Sequence, residues 1–208
     1  MRIVKDAEER KKEILDVAEK LFAEKGFDYT STNDILNEIG IARGTLYYHF
    51  KSKEDILDAV IDRIIKQLID NANTIAKDKS IPILQRLTRT IMSLNVESDI
   101  GYEVMKQVHR PQNALMHQKM QKRLLLDVNK IVTKLIEECI SEGICETDYP
   151  KEVVEMVMLY SNTVFDNMIE YTKEEKEKKI LAFIYNIERM LNMENGSLKS
   201  VILPIFKN

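Results

Sequence analysis

The sequence predicts an all-α protein: an N-terminal three-helix domain over residues 1–52, then a larger helical domain over residues 53–208. Three observations lead there. Apolar residues recur at helical spacing in every long segment, the period of a helix with one buried face. Only six glycines and four prolines occur among 208 residues, too few for the turns of a sheet protein. Capping signatures bracket the periodic segments, so their ends are legible too. A hydrophobic content of 44% is ample for a sizeable core.

The first helix is expected from Ala7 to Lys25, with Ile14, Val17, Ala18, Leu21 and Phe22 as its stripe. Gly26 ends it and Phe27 reaches back to Phe22. Ser31 and Asp34 form a capping box that starts a second helix at Thr32, with Ile35, Leu36 and Ile39 inward. Gly40 can take the left-handed conformation of a C-terminal cap, with Ile41 folding back towards Leu36. Only Ala42 separates this stop from the third helical run, Arg43 to Phe50. Ser52 and Asp55 make a second capping box and open a helix at Lys53. Its apolar period continues through Ile56, Leu57, Val60, Ile61, Ile64, Ile65, Leu68 and Ile69, so no flexible linker follows the first domain.

Two helices joined by so short a glycine-containing turn cross steeply and leave the second proud of the surface: a helix-turn-helix. Leu46 and Phe50 point to the core, which leaves Arg43, Gly44, Thr45, Tyr47, Tyr48 and His49 outside. A merely solvated face would not display two tyrosines, a histidine and a mid-helix glycine that costs about 1 kcal/mol. A face meant for a DNA groove would. Gly44 lets the backbone come close, Thr45 offers a hydroxyl and a methyl, and the tyrosine hydroxyls and Lys53 can reach phosphate oxygens. Lys53 also lies in a first helical turn, where free N–H groups favour an anion. The candidate DNA-binding set is Ser31, Thr32, Asn33, Arg43, Gly44, Thr45, Tyr47, Tyr48, His49 and Lys53. A weaker alternative is that the motif is a packing unit with Tyr47 half-buried.

Gly26-Phe27, Thr30-Ser31, Asp34-Ile35, Gly40-Ile41, Gly44-Thr45-Leu46-Tyr47, His49-Phe50 and Lys51-Ser52-Lys53-Glu54 together closely resemble the DNA-binding domain of TetR-family transcriptional regulators. The Thr-Leu-Tyr-x-His-Phe-x-x-Lys run is a specific signal. The resemblance implies an all-helical homodimer with one helix-turn-helix per subunit and a larger ligand-binding domain. It also implies repression of nearby genes from an operator, and release when a small molecule binds. Two-fold symmetry predicts a near-palindromic operator. One departure is Ala42, where the family commonly has Ser; losing that cap costs the recognition helix about 1 kcal/mol.

Net charge is −3, and residues 1–53 carry as many acidic as basic groups. Positive charge is placed rather than abundant: Arg2, Lys5, Arg10, Lys11 and Lys12, then Arg43, Lys51 and Lys53. A modest number of phosphate contacts and weak non-specific binding are expected. The charged Met1–Asp6 start lacks the apolar stretch of a signal peptide, and no uncharged apolar run reaches the roughly 18 residues of a membrane span. The chain is therefore expected in the cytoplasm, without a membrane partner. Cys139 reads as an inert buried thiol, and Cys145, after Gly143, lacks a basic neighbour to lower its pKa. His109 and His117 lie too far apart around Pro111 for a metal site. No metal, cofactor loop or nucleophile–base pair emerges, so no enzyme is expected.

Pro82 opens a helix carrying Ile83, Leu84, Leu87, Ile91 and Leu94, and a shorter segment spans Ile100 to Arg110. A long helix from Ala114 to Glu142 buries Leu115, Leu124, Leu125, Val128, Ile131, Val132, Leu135 and Ile136, and Gly143 stops it. Pro150 opens the next, to Tyr171, and the last runs from Glu174 to about Asn192. These last two are apolar on so much of their surface that a four-helix bundle shared by two subunits would cover them well. The expected dimer interface is Val157, Tyr160, Val164, Ile180, Ile184 and Ile187; an intrachain core is the alternative. The apolar tail around Val201–Phe206 is expected to fold back or reach the partner.

By the resemblance, an effector cavity lies among the helices between Leu57 and Tyr171. Its candidate lining is Tyr102, Met105, His109, Met116, Met120, Tyr160 and Thr163, suited to a small apolar or amphipathic effector. Methionines fill ordinary cores as well. A regulatory domain that binds a protein instead of a metabolite is the alternative function.

Overall fold

The computed structural model describes residues 6–94, 111–165 and 171–206. Among them are nine α-helices and no strand, as the periodicity predicts. The chain forms two compact units, residues 1–67 with 96–122 and residues 68–95 with 123–208.

The first unit holds α1 (Ala7–Lys25), α2 (Thr32–Ile39), α3 (Arg43–His49) and the start of α4 (Lys53–Lys77). A 3-10 turn, Pro111–Asn113, leads there into the first turns of α6 (Ala114–Ser141). Ile14, Ala18, Ile35, Ile56, Leu57, Val60 and Ile61 are completely buried, the branched side chains among them each contributing about 1.5–3 kcal/mol relative to an exposed one. Phe27 meets Phe22 edge-on with centroids 5.4 Å apart, so the chain does turn back after α1. The helices are also tied by charge. Arg63 on α4 pairs with Asp16 at 2.5 Å and with Glu19 on α1, and Lys20 pairs with Glu38 on α2 at 2.9 Å. These pairs are part-exposed and individually modest.

The second unit contains α5 (Ile83–Leu94), the rest of α6, α7 (Pro150–Val164), α8 (Lys173–Met190), the short α9 (Lys199–Ile202) and a 3-10 turn, Leu203–Phe206. Leu87, Leu135, Ile136, Val154, Ile184 and Ile187 share its core with Leu198, Val201 and Ile202 of the tail. The tail thus folds back on its own chain. Glu188, fully buried on α8, secures it: its carboxylate accepts N–H bonds from Gly196 at 2.8 Å and Leu198 at 2.9 Å. A second buried charge joins α4, α5 and α6. Arg86, 2% exposed, donates to the carbonyls of Ala76 (2.9 Å) and Ile81 (3.0 Å) and pairs with Glu138, which Lys79 also meets.

Three sequence expectations change. Leu115 is 38% exposed rather than buried, because Met116 and Met120, one turn apart, take the inward side of α6. Helix α7 ends at Val164, short of Tyr171. The reciprocal half of the second capping box moves one residue: Ser52 Oγ accepts the Asp55 N–H at 3.0 Å, but the Asp55 carboxylate takes the Lys51 N–H. The segment expected over residues 100–110 lies outside the described residues.

Candidate nucleic-acid interface

The surface of interest is assembled by the α2–α3 turn. Ser31 Oγ accepts the Asp34 N–H at 3.1 Å and the Asp34 carboxylate accepts the Ser31 N–H at 2.7 Å, the reciprocal box expected from sequence. The bonds from Ser31 hold the Asp34 carboxyl below its ordinary pKa, with Lys25 adding to the effect. At the other end Gly40 is left-handed (φ 72, ψ 36), and the N–H groups of Gly40 and Ile41 both return to the Leu36 carbonyl. A side chain in that conformation would meet its own backbone, which is why glycine stands there. Ala42 then starts α3 with no side-chain cap.

Leu46 (1% exposed) and Phe50 (5%) anchor α3, leaving the opposite face in solvent. Arg43, Gly44, Tyr47 and Tyr48 are exposed, and Thr45 and His49 half-buried. Tyr48 and His49 pack edge-on at 5.0 Å. The guanidinium of Arg43 lies 5.5 Å over the Tyr47 ring. Arg43 and Thr32 also neighbour the Tyr47 hydroxyl, and Arg43 in particular draws its pKa below that of an ordinary tyrosine. Thr32 of α2 and Arg43 and Tyr47 of α3 are therefore one polar cluster on one surface. Asn33 is exposed at the start of α2, whereas the Ser31 hydroxyl is engaged in the cap.

Lys53 is half-buried. Its ammonium donates to the Phe27 carbonyl at 2.8 Å and sits 4.1 Å from the centre of the Phe27 ring, leaving two N–H groups for another acceptor. Phe27 is held in turn by Asn113, a buried residue that sequence reasoning did not single out. Asn113 Oδ1 accepts the Phe27 N–H at 2.5 Å and its Nδ2 donates to the Phe22 carbonyl at 3.3 Å. Gln112 packs so closely on Gly26 that an added Cβ would fall 2.3 Å from its Cγ. No local pattern announces such a contact, which spans more than eighty residues of chain.

The other expected sites assemble less completely. Met116 and Met120 are buried in the first unit, while Tyr160 (42% exposed) and Thr163 are exposed in the second. Tyr102, Met105 and His109 lie outside the described residues. A groove of about 610 Å³ in the second unit is lined by others, among them Pro82, Ile83, Thr88, Glu142, Ile144 and Val201. Of the interface set, Ile184 (1% exposed) and Ile187 (6%) are turned into the chain's own core, and Val157 and Ile180 pack part-buried against it. Val164 is half-buried. Tyr160, the remaining member of that set, is exposed, and beside it α7 and α8 expose Met156, Leu159, Leu181 and Tyr185.

A bipartite turn with a solvent-facing polar second helix defines the class: helix-turn-helix regulators. The family described as "Bacterial regulatory proteins, tetR family" matches residues 14–60, and "Tetracyclin repressor-like, C-terminal domain" matches residues 96–186. This chain belongs to the TetR family of transcriptional regulators. An HTH-type transcriptional regulator of Staphylococcus aureus (strain USA300) is 43% identical over 74 residues, which are 36% of this chain and 40% of that protein. The match thus spans about 40% of the length of the curated relatives. Among solved structures, GusR of Salmonella enterica is 19% identical, with 92% of this chain and 97% of that one covered at a TM-score of 0.57. A SmeT–triclosan complex is 20% identical, with 90% and 93% covered at 0.61. No helix among the described residues is long and apolar enough to cross a membrane.

Proposed function

We propose that the protein is a homodimeric, sequence-specific DNA-binding repressor that leaves its operator when a small apolar or amphipathic effector binds. The observation that carries the DNA-binding part is the Thr32–Arg43–Tyr47 cluster on a helix anchored by Leu46 and Phe50. It presents a guanidinium and hydroxyls from rigid elements, with Gly44 open in front: beyond its chain neighbours and its own helix backbone, nothing lies within 4 Å of a Cβ built there. Such donors suit phosphate oxygens and base edges of a major groove. Acting on DNA, the protein works inside the cell.

Dimerisation is supported by Met156, Leu159 and Tyr160 on α7 beside Leu181 and Tyr185 on α8, all at least 40% exposed. Large apolar side chains clustered in this way gain by being covered. Two subunits related by a two-fold axis then present two recognition helices to a near-palindromic operator.

Effector release is supported by the unbroken run of α4 from Lys53, at the candidate interface, to the Ala76 carbonyl that Arg86 holds. A ligand favouring the DNA-incompetent form ~100-fold would weaken operator binding by up to ~100-fold, about 2.7 kcal/mol. Triclosan in the SmeT complex is one small aromatic ligand to include in a screen.

The test has two stages. Selection from random duplex DNA should enrich a near-palindrome bound by the wild type and not by Arg43→Ala; failure to enrich any sequence overturns the DNA-binding reading. Compounds that raise the Tm are then titrated against the protein–operator complex. Loss of affinity, with DNA weakening ligand binding by the same factor, is expected. Tight binders that leave operator affinity unchanged overturn effector release and favour control by a protein partner.

A further inference from the structure

The chain's two cysteines come together in the fold. Cys139, 1% exposed, lies in the last turns of α6, and Cys145, 7% exposed, follows the turn at Gly143; both belong to the core of the second unit. The helix terminus itself reverses the chain. The Ile144 N–H donates back to the Cys139 carbonyl at 2.9 Å, and the Cys145 sulfur comes to rest 3.9 Å from the Ile136 carbonyl oxygen. Ile136 and Cys139 are one turn apart and share a face of α6, so both sulfurs occupy that face. The connection is pinned on its far side as well, where the Glu146 N–H donates to the Leu191 carbonyl at 2.8 Å. Both thiols are free.

We propose that Cys139 and Cys145 are a dithiol oxidation site, which hydrogen peroxide converts to an intramolecular disulfide stapling the end of α6 to the α6–α7 connection. The pair supplies the activation that sequence reasoning looked for in a basic neighbour. The interaction with Cys139 draws the Cys145 pKa below the ordinary thiol value, while the same interaction and burial push Cys139 upwards. Cys145, the more exposed of the two, is then the attacking group.

Its thiolate attacks one peroxide oxygen. An S–O bond forms, the O–O bond breaks, and hydroxide leaves and takes up a proton as water. The Cys139 sulfur attacks the resulting sulfenic acid; an S–S bond forms, the S–O bond breaks, and a second water leaves with the Cys139 proton. Two thiols lose two electrons and one peroxide gains them. Burial favours this small neutral oxidant over a bulky disulfide such as oxidised glutathione.

The experiment uses the full-length folded protein, treated with hydrogen peroxide, then denatured in iodoacetamide and cut with trypsin. Both cysteines fall in one peptide, Leu135 to Lys151. The expected product carries no alkyl group, is lighter by two hydrogens and is restored by dithiothreitol before alkylation. In Cys139→Ala the reaction should stop at a Cys145 sulfenic acid that dimedone traps. A doubly alkylated wild-type peptide after peroxide would overturn the proposal. So would sulfinic acid as the main product, or a disulfide between two chains. The wild-type measurement decides these outcomes even if a variant fails to fold.

Discussion

The Lys53 ammonium donates to the Phe27 carbonyl at 2.8 Å and lies 4.1 Å from the centre of the Phe27 ring. The lysine that sequence reasoning assigned to phosphate is also a strut between the start of α4 and the loop after α1. Lys53→Met should therefore have two effects. Stability in urea should fall by about 1–2 kcal/mol, the worth of one charge-assisted hydrogen bond and a cation–π contact. If Lys53 also meets a phosphate, the slope of log affinity against log salt should shrink by about 1. A stability loss with an unchanged salt slope would leave Lys53 with the structural role alone.

Tyr47→Phe removes the hydroxyl that Thr32 and Arg43 neighbour without altering the ring under the guanidinium. Operator and non-operator DNA should both bind more weakly, by a similar factor, in anisotropy titrations at fixed salt. Thr45→Ala should instead relax preference at one base position, by roughly 1–3 kcal/mol. Unchanged binding in both variants would remove α3 from the groove.

Ile184 and Leu181 are three residues apart on α8, yet one is 1% and the other 41% exposed. Leu181→Asp should yield a folded monomer by light scattering and circular dichroism. Ile184→Asp puts a charge into the chain's own core and should unfold it, at a cost of several kcal/mol. A Leu181→Asp protein that stays dimeric would place the interface elsewhere.

Glu138, paired with Arg86 and Lys79, has its pKa lowered from the ordinary 4.5 to about 2, chiefly by the Arg86 hydrogen bond. Because the folded-state value is the lower one, the pair's stabilisation is fully present above about pH 4.5. It is lost as pH falls from there to about 2. The Tm of the wild type should drop through that window more steeply than that of Glu138→Gln. Parallel curves would mean the ion pair contributes little.

Glu188→Ala leaves the Gly196 and Leu198 N–H groups without their acceptor. A loss of about 3 kcal/mol is expected, with faster amide exchange over residues 198–202. Exchange unchanged there would show that apolar contacts alone hold the tail.

Local chemistry made the helices legible. The Ser31–Asp34 box, the Gly40 stop and the Gly143 stop each depend on residues within one turn of one another, so α1 and α2 begin and end where capping rules put them. The split between Leu46 and Phe50 inside and Arg43, Tyr47 and Tyr48 outside follows likewise from the helical period. Tertiary structure decided what that period leaves open. Periodicity marks an apolar face but not which apolar residues meet their own chain and which a partner, so Ile184 and Leu181 part company only in the fold. Nor does spacing reveal that Asn113 holds Phe27, that Glu188 holds the tail, or that Cys139 and Cys145 come together in one core. Each of these is a polar or sulfur group whose partner is chosen by burial: once water is excluded, the group must bond whatever donor or acceptor the packed chain brings within reach.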